Sequence, residues 1–133
     1  MTRLLRSSLI VFCMVSANAF AAGMLDGKRF IGESGPMGSP ADQKGDVITF
    51  ADGRFHSSSC DQWGFSKGDY TATQDGDVVR FEVTTVSETD GRLQWKGVVK
   101  GDTLEGGFVH YRKPSFFSSK PKPIEHWLKA QSK

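Results

Sequence analysis

Phe50-Ala51-Asp52-Gly53-Arg54-Phe55 is the stretch whose reading decides the fold. Asp-Gly is a two-residue hairpin turn: both central positions of a type I′ turn need φ above zero, which Asp tolerates and Gly adopts freely. Such a turn fixes the register, so Phe50 faces Phe55 across the strand pair. Working outward, period-two alternation keeps returning between Gly and Asp turn signals, and no 3.6-residue apolar period persists over a helical length. The pattern predicts eight strands, near residues 28–32, 46–51, 54–59, 69–73, 77–86, 92–100, 103–111 and 124–128.

The other turns extend the register. Asp75-Gly76 sets Tyr70 opposite Phe81 and Ala72 opposite Val79, and Gly101-Asp102 sets Val99 opposite Leu104, Trp95 opposite Phe108 and Gly97 opposite Gly106. A three-residue loop, Thr89-Asp90-Gly91 with Gly91 left-handed, aligns Val83 with Gly97 and Phe81 with Val99. One inward set follows: Phe50, Phe55, Tyr70, Ala72, Val79, Phe81, Val83, Leu93, Trp95, Val99, Leu104 and Phe108. Arg80, Glu82, Arg92, Gln94, Lys96 and Glu105 then face water. The Gly97 and Gly106 pair reads as a sharp bend filled by Trp95, with an internal cavity as the alternative. Sequential hairpins predict an all-β, eight-stranded antiparallel up-and-down barrel, which leaves no exposed edge; a β-sandwich is the alternative. In the barrel the tight turns share one end. The longer connections, 32–45, 60–68, 89–91 and 112–123, collect at the other, where a binding site is expected.

Residues 1–21 read as a secretory signal peptide, leaving 22–133 as a single domain. Arg3 and Arg6 form its basic region, Leu9 to Val15 its apolar core, and Ala17 to Ala21 offers two A-x-A cleavage frames. The apolar run to Ala22 is shorter than the roughly 18–20 residues that span a bilayer, so no membrane span is expected. Phe12 before Cys13 is too large for a lipobox. Of 17 Lys and Arg, Arg3 and Arg6 leave with the signal, so 15 remain against 15 Asp and Glu. That neutral balance gives no footing for nucleic-acid binding. Loss of Cys13 leaves Cys60 without an internal disulfide partner.

Three segments stand out together: Leu25-Asp26-Gly27-Lys28; Phe50-x-Asp52-Gly53-x-Phe55-x-Ser57-x-x-Cys60 followed by Gly64-Phe65; and Trp95-x-Gly97 leading through Gly101-Asp102 to Leu104-x-Gly106. They resemble a group of small secreted bacterial proteins without an established role, whose nearest general architecture is the lipocalin-like (calycin) barrel. Gly27-Lys28-Arg29-Phe30 stands where a lipocalin carries G-x-W, and no long C-terminal helix follows.

The expected ligand- or partner-binding residues are Cys60, Trp63, Phe65, His110, Phe116 and Phe117. Cys60 is the most reactive side chain. His56 lies roughly 13 Å from it along an unbroken strand, too far to act as its base. Cys60, His110 and His126 could meet near the long-loop end, but no pair has a recognised metal-ligand spacing, so no metal site is assigned. Trp63 and Phe65 read as plugs of the barrel mouth, Phe116 and Phe117 as contact residues, and Trp127 as core at the barrel seam. No phosphate loop or Ser/His/Asp set makes a case for an enzyme, and no cofactor is implied. The expected protein is a periplasmic or secreted monomer that binds a small apolar ligand or an envelope protein. Mass spectrometry of the exported protein should find a chain beginning at Ala22; an intact residue 1–21 segment would refute the cleavage reading.

Overall fold

The computed structural model describes residues 23–117 and 119–133, so the expected signal peptide and Cys13 lie outside the described residues. Eight strands form in chain order: β1 (Arg29–Pro36), β2 (Gln43–Ala51), β3 (Arg54–Ser57), β4 (Gly68–Asp75), β5 (Val78–Ser87), β6 (Gly91–Lys100), β7 (Thr103–Tyr111) and β8 (Ile124–Ser132). Each pairs antiparallel with the next, and β8 returns to β1 to close the barrel. Closure gives every strand two hydrogen-bonded neighbours, which excludes the sandwich.

Phe50 pairs with Phe55 around Asp52-Gly53, with φ of 53 and 72 at the two turn residues. The β6–β7 register, including Gly97 opposite Gly106, is also as read from the sequence. Two registers differ. Tyr70 pairs with Val83 and Ala72 with Phe81, because the turn is Gly76-Asp77 with positive φ at Gly76 alone, a pattern that places Gly first. Phe81 pairs with Gly97 and Val83 with Trp95, because Ser87 pairs with Gly91 and the loop is Glu88-Thr89-Asp90. The Ser87 hydroxyl closes that loop by accepting the Asp90 N–H at 3.1 Å. Each shift is two residues, and a two-residue shift keeps every side chain on its face. The inward set is accordingly buried or packed against the core, and the polar set is exposed.

The tight-turn half of the barrel is solid. Phe50 is its hub, meeting Phe30, Phe55, Tyr70 and Phe81 edge-on at centroid distances of 6.3, 5.4, 5.0 and 5.1 Å. Edge-to-face contacts of this kind add to the burial of large rings. The bend at Gly97 is filled by Phe81 rather than Trp95: a Cβ on Gly97 would sit 2.6 Å from the Phe81 ring, and one on Gly106 would strike the Lys96 carbonyl. The chain ahead of β1 stoppers this end. Leu25 is fully buried, its N–H donates to Tyr70 Oη at 3.0 Å, and that hydroxyl donates to Asp26 Oδ1 at 2.6 Å. Burial, reinforced by the bond to Asp26, pushes the Tyr70 phenol up to about 12.

Trp127 corrects the sequence reading. Leu128 and Ala130 hold the inward phase of β8, so Trp127 lies at the seam but on the outer wall. There its indole N–H donates to the Ser39 carbonyl at 2.9 Å and pins the β1–β2 connection. The outer wall also carries Arg80, Glu82, Gln94, Lys96 and Lys129, all exposed. No described helix is long and apolar enough to cross a membrane.

Replacing Phe50 with alanine should cost about 3–5 kcal/mol, since it removes a fully buried ring from among four others and leaves a cavity there. Urea denaturation reads this. A loss below about 1 kcal/mol would show that the aromatic cluster is not what holds the barrel together.

Candidate functional site

Toward the long-loop end the inward phase changes chemistry. Phe30 gives way to Ser34 on β1, Ile48 to Asp46 on β2, Phe55 to Ser57 on β3, Val83 to Thr85 and Ser87 on β5, and Phe108 to His110 on β7. On β8, Leu128 is followed toward that end by His126. Smaller and polar side chains leave the lumen incompletely filled. The result is a cavity of about 250 Å³ open at this end.

Its apolar wall is Phe65, Leu93, Trp95 and Phe108; its polar wall includes Ser34, Gln43, Asp46, Cys60, His110 and His126. Trp95 and Phe108 lie 4.4 Å apart, tilted by 42°, and Phe108 stacks on His126 at 4.5 Å and 8°. The Trp95 indole N–H is satisfied by Thr85 Oγ1 at 3.1 Å. A second recess, beside Ile31, Lys44 and Lys129, is a shallow groove on the outer wall.

One wall of the mouth is a 3-10 helical turn, Ser58–Trp63, whose first two residues the sequence pattern predicts as the end of the third strand. Asp46 causes the change. Its carboxylate accepts Ser57 Oγ at 2.7 Å, Ser58 Oγ at 3.3 Å and the Ser59 N–H at 3.0 Å, drawing three successive serines around one group. Left-handed Gly64, at φ 76, ends the turn and sends Phe65 inward. The far side is tied to β5, where Ser87 Oγ donates to the Trp63 carbonyl at 2.7 Å.

Cys60, Trp63, Phe65 and His110 therefore line one cavity. Phe65 is buried and packs edge-on against His110 at 6.0 Å, as a plug does. Trp63 is not a plug: it is 41% exposed and stands at the rim. Phe116 and Phe117 do not line the cavity; they are 98% and 95% exposed, edge-to-face at 5.4 Å, on the β7–β8 connection. His56 points away from Cys60 and pairs with Asp61 at 2.7 Å. Asp46, Trp95 and Phe108 also line the cavity but were not singled out from the sequence as binding residues; His126, weighed there only as a metal ligand beside Cys60 and His110, lines it too. The signal was present: Asp46 shares the phase of Ile48 and Phe50, and a polar residue in an inward phase marks a wall that needs a partner.

The chemistry of the polar groups is specific. Burial pushes the Cys60 thiol up to about 11; contact with Ser57 Oγ at 3.4 Å opposes this, and the Asp46 and Asp61 carboxylates add to it. A thiol so raised is a poor nucleophile. His110 Nε2 donates to the Asp90 carbonyl at 2.7 Å, because a carbonyl can only accept. Burial lowers the pKa of His126, with the Ile124 carbonyl and Asp42 opposing and His110 adding to the lowering. Its Nδ1 is buried without a hydrogen-bond partner among the described residues. No group of three or more His, Cys, Asp or Glu among the described residues is arranged to hold a metal ion. Comparisons with protein-family models, curated proteins and solved structures returned no match to this chain.

At neutral pH, alkylation of Cys60 should run roughly 100-fold slower in the folded protein than in the unfolded chain, from two pH units of lost thiolate. A folded rate within a few-fold of the unfolded one would contradict the burial. Because the folded pKa is raised above the ordinary thiol value of 9.0, the same group stabilises the fold fully below pH 9 and loses that contribution as pH rises through about 11.

Proposed function

We propose that this chain is a non-enzymatic binding module, exported to the periplasm or secreted, that receives a small ligand with an apolar body at the long-loop end of its barrel. The observation that carries this is the half-hollow lumen. Aromatic walls with a few convergent polar groups at the mouth of a barrel are the usual make-up of a small-molecule site. The 250 Å³ cavity is smaller than the roughly 300–1,000 Å³ of common ligand pockets, which favours a compact occupant. Export rests on the pattern of residues 1–21. Kinship with small secreted lipocalin-like proteins rests on the motif placements around Asp26, Phe50 and Trp95. The raised thiol argues against Cys60 as a nucleophile.

A second reading, an interaction or inhibitor module, is favoured by the bare Phe116 and Phe117 rings. Apolar surface held in water is a recurrent mark of contact sites. The two readings separate by mutation. Ser34→Phe places a ring in the lumen and should weaken binding of benzyl alcohol at least about tenfold, read from the Trp95 indole N–H resonance. Phe116→Ala with Phe117→Ala should leave that binding unchanged. Failure of the indole resonance to respond to benzyl alcohol, or no loss in Ser34→Phe, would count against the lumen as the site.

A further inference from the structure

We propose that the occupant of the cavity is a small organic cation, an ammonium group carried on a compact apolar or aromatic body. This rests on the lumen-binding reading and adds the charge of the ligand's head.

The first observation is an unbalanced buried carboxylate. Asp46 is 2% exposed, and no Lys, Arg or His is within 4.0 Å of its carboxylate among the described residues. Buried charges are ordinarily paired, because hydrogen bonds alone do not replace the lost hydration. Asp46 accepts three hydrogen bonds, from Ser57, Ser58 and Ser59. A carboxylate has about four acceptor positions, so one is left for a donor arriving through the mouth.

The second observation is the composition of the wall. Asp42 and Asp90 also line the cavity, and among the described residues no Lys or Arg does. His126 brings no compensating charge at neutral pH, since burial holds its pKa down. An anionic ligand would meet three acidic residues and no basic side chain of this kind.

The third observation is the aromatic surround. Trp95 and Phe108 form the inner wall and Trp63 stands at the rim. Aromatic faces attract ammonium groups through the ring quadrupole, most strongly where water is excluded. A carboxylate and aromatic rings lining the same cavity are complementary to a cation with an apolar body, and to neither half alone.

The test compares benzylamine, benzyl alcohol and benzoate, three near-isosteres differing in charge, titrated at pH 7 into the ¹⁵N-labelled purified protein. Benzylamine should bind about tenfold tighter than benzyl alcohol, with shifts at Trp95 Nε1 and the Phe108 amide, and benzoate should bind weakest. Asp46→Asn should abolish the preference while benzyl alcohol still binds. Because Asp46 also gathers the three serines, Asp42→Asn at the exposed rim is the second variant, expected to reduce the preference several-fold without altering the fold. Benzyl alcohol binding as tightly as benzylamine overturns the cation and leaves the lumen as a binding site; a preference kept in full in Asp46→Asn, or in Asp42→Asn when Asp46→Asn does not fold, overturns the acidic wall as its origin. No response to any of the three overturns both.

Discussion

The ladder between β1 and β8, running from Phe30 opposite Ser132 to Pro36 opposite His126, is the constraint on which everything else depends. It turns eight hairpin-linked strands into a closed sheet and removes the edges that an open one would present. Closure at eight strands also fixes the bore, which is just wide enough for side chains to fill or for one small ligand to enter. From there, the choice of inward residue at each level decides between solid and hollow. Phe30, Phe50, Phe55, Tyr70 and Phe81 fill one half. Ser34, Asp46, His110 and His126 leave room in the other.

Much of this was legible in the sequence, because alternation and turn chemistry are local. The strands, their faces and the Phe50–Phe55 pairing follow from residues a few positions apart. Registers between Tyr70 and Phe81 were less legible for a physical reason: Asp75-Gly76 and Gly76-Asp77 are both plausible turns, and a two-residue slip preserves every face. Trp127 misled because a large ring suggests core, whereas the phase set by Leu128 and Ala130 places it outside. Cys60, Trp63, Phe65 and His110 were found as candidates because loops and reactive groups draw notice. Asp46 was harder, since its partners Ser57, Ser58 and Ser59 reach it only through the 3-10 turn that replaces the end of the expected third strand. Closure brings the Asp46 carboxylate into the same cavity as Trp95, while the β7–β8 pairing sets the imidazole on Phe108.

The rigidity of the site has the same origin as its polarity. Asp46 draws in the start of the 3-10 turn and Ser87 holds its end, so the segment bearing Cys60 and Trp63 is fastened to two strands. Side chains on such a fastened segment are held in place before any ligand arrives, which lowers the cost of binding. The cost is a lumen half that forgoes the apolar contacts made around Phe50. Open space and packing therefore compete for the same bore, and this chain divides it along the barrel axis.

The Leu25 stopper has an architectural consequence. β1 begins and β8 ends at the stoppered base, where the Lys133 N–H donates to the Arg29 carbonyl. Leu25, ahead of β1, and Lys133, after β8, thus both lie at the face opposite the mouth. A tether attached after Lys133 would hold the barrel by its foot, with the mouth at the far end. A partner domain fused there would not have to pass the entrance.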